Sequence, residues 1–389
     1  MTEVDSEGAQ EIPKSNTFSR RKFIVGAAVV GVSAVIAGRK QIAESVFSVD
    51  DDALIDSNLG KRFPREKIML ADGTIAFRDL KPEKLREAQD VPLISMVGLG
   101  MDQAVIGFML QSLYDQGEHV IPLDFIGGSG SFGTIDGEQE INRRGDMIGE
   151  FITKYLQENP NVKQFDLMGQ SLSAISMLAF ARRHPEMLDK VRNVLPVSPM
   201  GIQNVDSVLG IKERKSKEDA RNKKVEKSEE DEKVDAVIKK TFARNVLSSP
   251  IRSLEELLAM AKAGNYPSVE ELKRRGVRVS FIQGADDLLA DANMLMERIG
   301  EGFSETVTEI PEFERNPNSP QVYEYIPLNS QQKEKLKATP SVRFRKGGHE
   351  IMSQSKFAGT VLRAIDRLNN PITEGQAVEF AQAGHRKAS

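Results

Sequence analysis

The chain has 389 residues with 53 Lys and Arg against 57 Asp and Glu, a net charge of −4, so a basic footprint for nucleic acid is absent. Hydrophobic residues make up 39% and charged residues 28%, enough apolar material for a substantial core, which excludes wholesale disorder. Cysteine is absent and histidine occurs four times, so disulfides, thiolate catalysis and thiolate metal sites are excluded, and a His-dependent mechanism has few candidates.

The first 18 residues are polar and lead into Ser19-Arg20-Arg21-Lys22-Phe23-Ile24, followed by an apolar stretch rich in Gly, Ala and Val that ends at Gly38. This resembles a twin-arginine export signal, and the resemblance implies the twin-arginine export machinery as a partner. Residues 23–38 would make about 24 Å of helix, short of the ~30 Å hydrocarbon core, so both cleavage after Val35-Ile36-Ala37 and retention as a membrane anchor stay open. Either route puts the bulk of the chain outside the cytoplasmic membrane. Residues 1–45 are read as export signal or anchor, and residues 46–66, with the run Asp50-Asp51-Asp52, as a polar linker.

Lys67 to Leu70 and Thr74 to Phe77 flank Ala71-Asp72-Gly73, a hairpin signal. Short apolar runs then alternate with longer amphipathic segments: Leu93 to Val97, Val120 to Leu123, Phe165 to Met168, Val194 to Val197, Val277 to Ile282 and Val342 to Phe344. Strands separated by helical patterns predict a doubly wound α/β sheet of eight strands, six of them parallel. The core spans residues 67–198 and 271–368, and residues 369–389 form a polar tail. Residues 199–270 interrupt the rhythm as a helical insertion. In it Lys212 to Lys240 carries 11 basic and 9 acidic residues in 29 places, and Ser253 with Glu256 and Ser268 with Glu271 fit capping boxes. This block is either a solvated insertion or a lid over a substrate.

The Phe165 run enters Gly169-Gln170-Ser171-Leu172-Ser173-Ala174, and a helical pattern from Ile175 to Arg183 follows at once. A serine hydroxyl becomes a useful nucleophile when it is held on a tight turn beside a base, with small residues two places away on each side to let strand and helix crowd together. Gly169 and Ser173 hold those places. From about Lys67 to Leu368 the sequence therefore resembles the α/β-hydrolase superfamily, with Ser173 standing where the family usually has a second glycine.

The resemblance implies a serine hydrolase with no cofactor and no metal, and its roles carry over to particular positions. Ser171 is the nucleophile. The acid follows Ile282-Gln283-Gly284-Ala285, where Asp287 fits the usual spacing and Asp286 is the alternative. The base is His349, after Gly347-Gly348; His119, His184 and His385 read as surface residues. Ser171, Asp287, His349 is the chain order of this fold. The oxyanion hole would use the main-chain N–H groups of Leu172 and of Leu99, in the loop Val97-Gly98-Leu99-Gly100-Met101. Gly302 to Thr339 is an insertion expected to border the pocket. Gly128-Ser129-Gly130-Ser131-Phe132-Gly133 has dinucleotide-loop spacing, but no helix pattern opens at the loop and no strand-end acid follows about 20 residues on, so it reads as a hydrolase loop. The expected substrate is a carboxylic ester or lipid. A peptidase or acyltransferase on the same triad, and a non-catalytic scaffold tethered at the membrane, are the competing readings.

Overall fold

In the computed structural model, residues 62–71, 73–101, 103–124, 137–199, 210, 213–217, 220, 229–248, 253, 256–258, 272, 275, 277–284, 287, 289, 305–311, 321–327, 341–345, 351–353, 355 and 357–369 are described. The N-terminal segment with Arg20 and Arg21, the glycine run 128–133, the second capping box, Asp286, His349 and the tail with His385 lie outside them.

Strand β1 (Glu66–Leu70) turns into β2 (Gly73–Phe77), and the two pair antiparallel with Leu70 opposite Gly73. Six further strands follow the expected runs: β3 (Leu93–Met96), β4 (Val120–Asp124), β5 (Phe165–Gln170), β6 (Val191–Val197), β7 (Arg278–Gly284) and, later in the chain, β10 (Ser341–Arg345). These six lie side by side and parallel in the order β4-β3-β5-β6-β7-β10. The expected count of eight is too small. Within the Gly302 to Thr339 insertion the chain forms β8 (Glu305–Pro311) and β9 (Gln321–Pro327), an antiparallel pair that joins the sheet through β10. That makes one ten-stranded sheet, β1-β2-β4-β3-β5-β6-β7-β10-β9-β8.

Because strand side chains alternate faces, the apolar runs feed two cores at once. On one face Ile94, Ile121, Phe165, Leu167 and Phe281 meet helix α2 (Gly137–Glu158) and helix α3 (Leu172–Arg183) through Ile148, Phe151, Ile152, Tyr155, Leu178 and Phe180. On the other, Leu93, Val120, Met168, Leu195 and Ile282 meet helix α1 (Gly107–Asp115) and helix α5 (Phe357–Asn369) through Met109, Leu110, Leu113, Phe357, Val361 and Ile365. Aromatic rings fill the first core, with Phe77 edge-on to Phe151 at 5.3 Å between ring centres.

The 199–270 insertion is helical where it is described, chiefly as α4 (Glu229–Ser248). Val234, Val237, Ile238 and Thr241, at the i, i+3, i+4, i+7 spacing of one helix face, are buried. The three aliphatic ones pack on Ala104 and Val105, just beyond the Gly98–Gly100 loop. Glu256, read as a capping residue, is buried and paired with Arg144 of α2.

Candidate active site

The strand order reverses at β3: from it the chain moves outward to β4, then crosses back to β5 on the other side. In an open parallel sheet such a reversal opens a crevice at the carboxyl ends of the strands. Ser171 follows β5 there, and the Gly98–Gly100 loop follows β3.

Ser171 sits at φ 53°, ψ −115°, between the last strand residue, Gln170, and the first helical residue, Leu172. A non-glycine residue held in that sparsely populated region costs about 1–3 kcal/mol and persists only where its surroundings enforce it. The enforcement is visible on both sides. The Ser171 N–H donates to the Val197 carbonyl at 2.9 Å, tying the turn to β6. Gly169 lets the helix close over the strand: a Cβ there would stand 2.8 Å from the Ser173 carbonyl carbon and oxygen. Serine at a helix N-cap ordinarily uses its oxygen to accept from the first turn, yet the Ser171 side chain makes no capping hydrogen bond. Its hydroxyl is held at the N-terminus of α3, where the first-turn N–H groups lack intrahelical acceptors and the helix dipole favours negative charge.

Leu172, the first residue of α3, is fully buried with its N–H in this set. Leu99 lies in the turn after β3, half-buried. Gly98, directly before it, brings main chain against Ser171, since a Cβ at Gly98 would stand 3.2 Å from the Ser171 Cβ and 3.8 Å from its Oγ. Both expected oxyanion donors are therefore carried by segments adjoining Ser171.

Asp287 follows β7, 3% exposed, and its carboxylate accepts from the Leu289 N–H at 2.8 Å and from Gln283 Nε2 at 3.1 Å. β10 runs parallel beside β7 with Arg345 opposite Gly284, so the chain leaves both strands on one edge, four residues before His349 in the case of β10. Ser171 and Asp287 thus occupy that same carboxyl edge, after β5 and β7.

Three further polar residues lie at this edge. Ser198, after β6, has φ 43° and a buried hydroxyl that finds no hydrogen-bond partner among the described residues; its N–H donates to the Ile282 carbonyl at 2.8 Å. Ser173 donates through its hydroxyl to the Val97 carbonyl, so the departure from glycine has a partner in the β3 loop. Asp124 ends β4 and binds Gln103. A strand-end carboxylate in an otherwise apolar run was the one sequence cue for it.

His119 corrects its surface reading: it is 3% exposed, with Nδ1 2.7 Å from Asp90 and Nε2 2.6 Å from Asp79, at the opposite edge of the sheet. His184 ends α3, half-buried, stacked on Phe180 and 3.0 Å from Asp146. Among the described residues, no group of three or more His, Asp or Glu side chains could hold a metal ion.

No model of a known protein family matches the chain, and no curated protein matches it in sequence. Solved structures do resemble it in shape. A bacterial membrane phospholipase A, described as a virulence factor, superposes with a TM-score of 0.52 at 16% identity, over 92% of this chain and 100% of that one. A serine hydrolase from Cycloclasticus zankles gives 0.50 at 13% identity, over 79% and 99%. An α/β-hydrolase fold protein from Chitinophaga pinensis shares 17% identity over 80% and 98%, with a TM-score of 0.48. At these identities the first two likenesses speak to architecture, and together with the parallel sheet, its flanking helices and the serine turn after β5, they show that this chain has the α/β-hydrolase fold.

Proposed function

We propose that the chain is a serine hydrolase that cleaves a carboxylic ester or lipid through an acyl-enzyme. The observation that carries the reading is the Ser171 turn: a positive φ, no capping bond for the hydroxyl, and the Gly98 main chain against it at the reversal of strand order. In this mechanism His349 takes the proton of the Ser171 hydroxyl as Oγ attacks the ester carbonyl. The carbonyl oxygen, now negative, accepts from the Leu99 and Leu172 N–H groups, each donor contributing a factor of about 10²–10³ in rate. His349 then gives the proton to the leaving alkoxide. Water repeats the sequence on the acyl-enzyme and frees the acid. Asp287 holds the imidazole in the productive tautomer and stabilises the imidazolium, with Asp286 as its alternative.

The preference for esters and lipids is supported by the full-length likeness to a membrane phospholipase A. Export is part of the proposal and rests on Ser19-Arg20-Arg21-Lys22-Phe23 with the apolar residues that follow, which would also provide membrane association through residues 23–38. No helix of the described residues is long and apolar enough to cross a membrane. The division into signal or anchor, linker, split catalytic core and helical insertion belongs to the same reading, with α4 as the lid.

The test is labelling by a fluorophosphonate probe, followed by turnover of aryl ester, phospholipid and aminopeptide substrates. Labelling is expected in the wild type and lost in Ser171→Ala. Persistent labelling in Ser171→Ala would remove the nucleophile assignment. Turnover of the peptide alone would favour the peptidase reading, and absence of labelling in the wild type would favour the scaffold. Substituting Arg20 and Arg21 by Lys and following the chain by fractionation tests export.

A further inference from the structure

We propose that Ser173 and Asp124 are positioning residues that clamp the two ends of the loop carrying the Leu99 N–H donor; the inference rests on the hydrolase reading and concerns the same site. The loop runs from the end of β3 to Gln103, where a short helical turn, Gln103–Ile106, begins and leads into α1. At its near end the fully buried Ser173 hydroxyl donates to the Val97 carbonyl, joining the loop to the helix that begins at the nucleophile. At its far end both oxygens of Asp124 accept from Gln103. Oδ1 accepts from the Gln103 N–H and Oδ2 from Gln103 Nε2, each at 2.7 Å, and the Arg65 guanidinium also reaches Oδ2. Between the clamps, the Met101 N–H closes a turn onto the Gly98 carbonyl at 3.3 Å.

The arrangement is more than strand-end bookkeeping of polar groups. Asp124 is 6% exposed and Gln103 3%, so the contact is taken out of water, where a hydrogen bond to a charged group is stronger than at the surface and an unmet partner is costly. A strand anchor could have been satisfied by Arg65 alone. Here the carboxylate instead grips main chain and side chain of the residue where the loop ends. A glycine at 173 would give the crowding that the turn needs but would leave the Val97 carbonyl without this donor. The serine therefore answers to the loop, as well as to the elbow. An oxyanion donor works only within a few tenths of an ångström of the developing charge, so a loop fixed at both ends serves the tetrahedral state more than the bound ester.

The test uses the full chain, wild type and the variants Ser173→Ala, Ser173→Gly, Asp124→Asn and the Ser173→Ala/Asp124→Asn double, with an aryl ester substrate and an aryl boronate that forms a tetrahedral adduct on the nucleophile. Each single variant is expected to lower kcat by about 10–100-fold, part or all of one donor's effect, with KM within about threefold. The boronate should weaken in step with kcat/KM across the series. Since both clamps hold one loop, the double variant should lose less than the product of the singles. A purely structural role would lower the thermal midpoint without that proportionality. The proposal is overturned if all three single variants keep kcat within twofold, or if kcat falls while boronate affinity holds. Should Asp124→Asn fail to fold, the Ser173 variants, which remove one hydroxyl, decide the matter. Wild-type protein that does not react with the fluorophosphonate removes the hydrolase reading and this inference together. Labelled wild type with unaffected variants removes this inference alone.

Discussion

Arg144 of helix α2 reaches across to Glu256 of the insertion, and both side chains are buried, with Glu140 one helical turn away on the same guanidinium. A buried charge group costs desolvation that only its partners offset, and removing one member leaves the others stranded. The Arg144 guanidinium is consequently held charged: burial works against its proton, and the fields of Glu256 and Glu140 outweigh that.

The first prediction follows from the unequal remainder. Arg144→Ala takes the buried cation from two carboxylates, of which Glu140 keeps Arg143 at 3.8 Å, and should cost about 3–5 kcal/mol, whereas Glu256→Ala leaves the i,i+4 Glu140–Arg144 pair intact and should cost less. Urea unfolding measures the order, and limited proteolysis of Arg144→Ala should cut first within residues 199–270. Equal destabilisation of the two variants would mean that Arg144 does not anchor the insertion.

A second prediction concerns the turn itself. In Gly169→Ala the new methyl meets main chain of Ser173 at 2.8 Å and of Ala174 at 3.0 Å, atoms that cannot swing aside as a flexible side chain could. Helix α3 must move off β5, and a displacement near 1 Å at a nucleophile costs about 10²-fold in turnover. The measurement is kcat with the aryl ester beside far-ultraviolet circular dichroism. Full activity in Gly169→Ala would show that the crowding at the turn is not needed.

Third, His119 should impose a pH dependence. Burial by itself lowers its pKa, but hydrogen bonds from both ring nitrogens to Asp79 and Asp90 prevail, and the pKa is raised. Burial likewise opposes ionisation of Asp90, and the bonds from His119 and Lys81 overcome it and bring it down to about 2; Asp79, which also accepts from Tyr155, is lowered too. A raised histidine stabilises the fold fully below its unfolded pKa of ~6.5, and that contribution fades as pH rises through the folded value. The lowered acids stabilise above ~3.9 and lose this as pH falls toward about 2. The thermal midpoint of the wild type minus that of His119→Gln should therefore be largest between about pH 4 and 6.5, and shrink on both sides. A difference that grows from pH 6.5 to 9 would contradict a doubly bonded imidazolium.

The sheet was legible because its parallel strands are buried on both faces and read as short apolar runs, six of which fall within a few residues of β3, β4, β5, β6, β7 and β10. Gly169 and the helical pattern that begins at Ile175 announced the Ser171 turn in the same way. β8 and β9 were missed because Glu305 and Glu309 in Glu305–Pro311, and Glu324 in Gln321–Pro327, interrupt their apolar residues in a stretch broken by Pro and Asn, so neither reads as one continuous apolar run. His119 was misread since burial of a histidine depends on Asp79 and Asp90, 40 and 29 residues away, which no local pattern encodes. The same holds for Asp124 and Ser173, whose partners come together only when β3, β4 and β5 align.

The last prediction separates the two candidate acids. The Asp287 carboxylate is buried and oriented by the Leu289 N–H and Gln283 Nε2, which is what a group needs if it is to hold an imidazole in one tautomer instead of merely attracting it. Asp287→Asn keeps the shape and presents an amide donor where an acceptor is required. It should therefore lower kcat by about 10³–10⁴-fold and leave KM within a few fold. Gln283→Leu removes one orienting bond without touching the charge, and should cost about tenfold, in the range of a lost supporting hydrogen bond. Asp286→Asn should stay within a few fold of wild type. If Asp286→Asn loses more turnover than Asp287→Asn, the acid is Asp286, and the hydrogen bonds around Asp287 serve the loop after β7 instead of the triad.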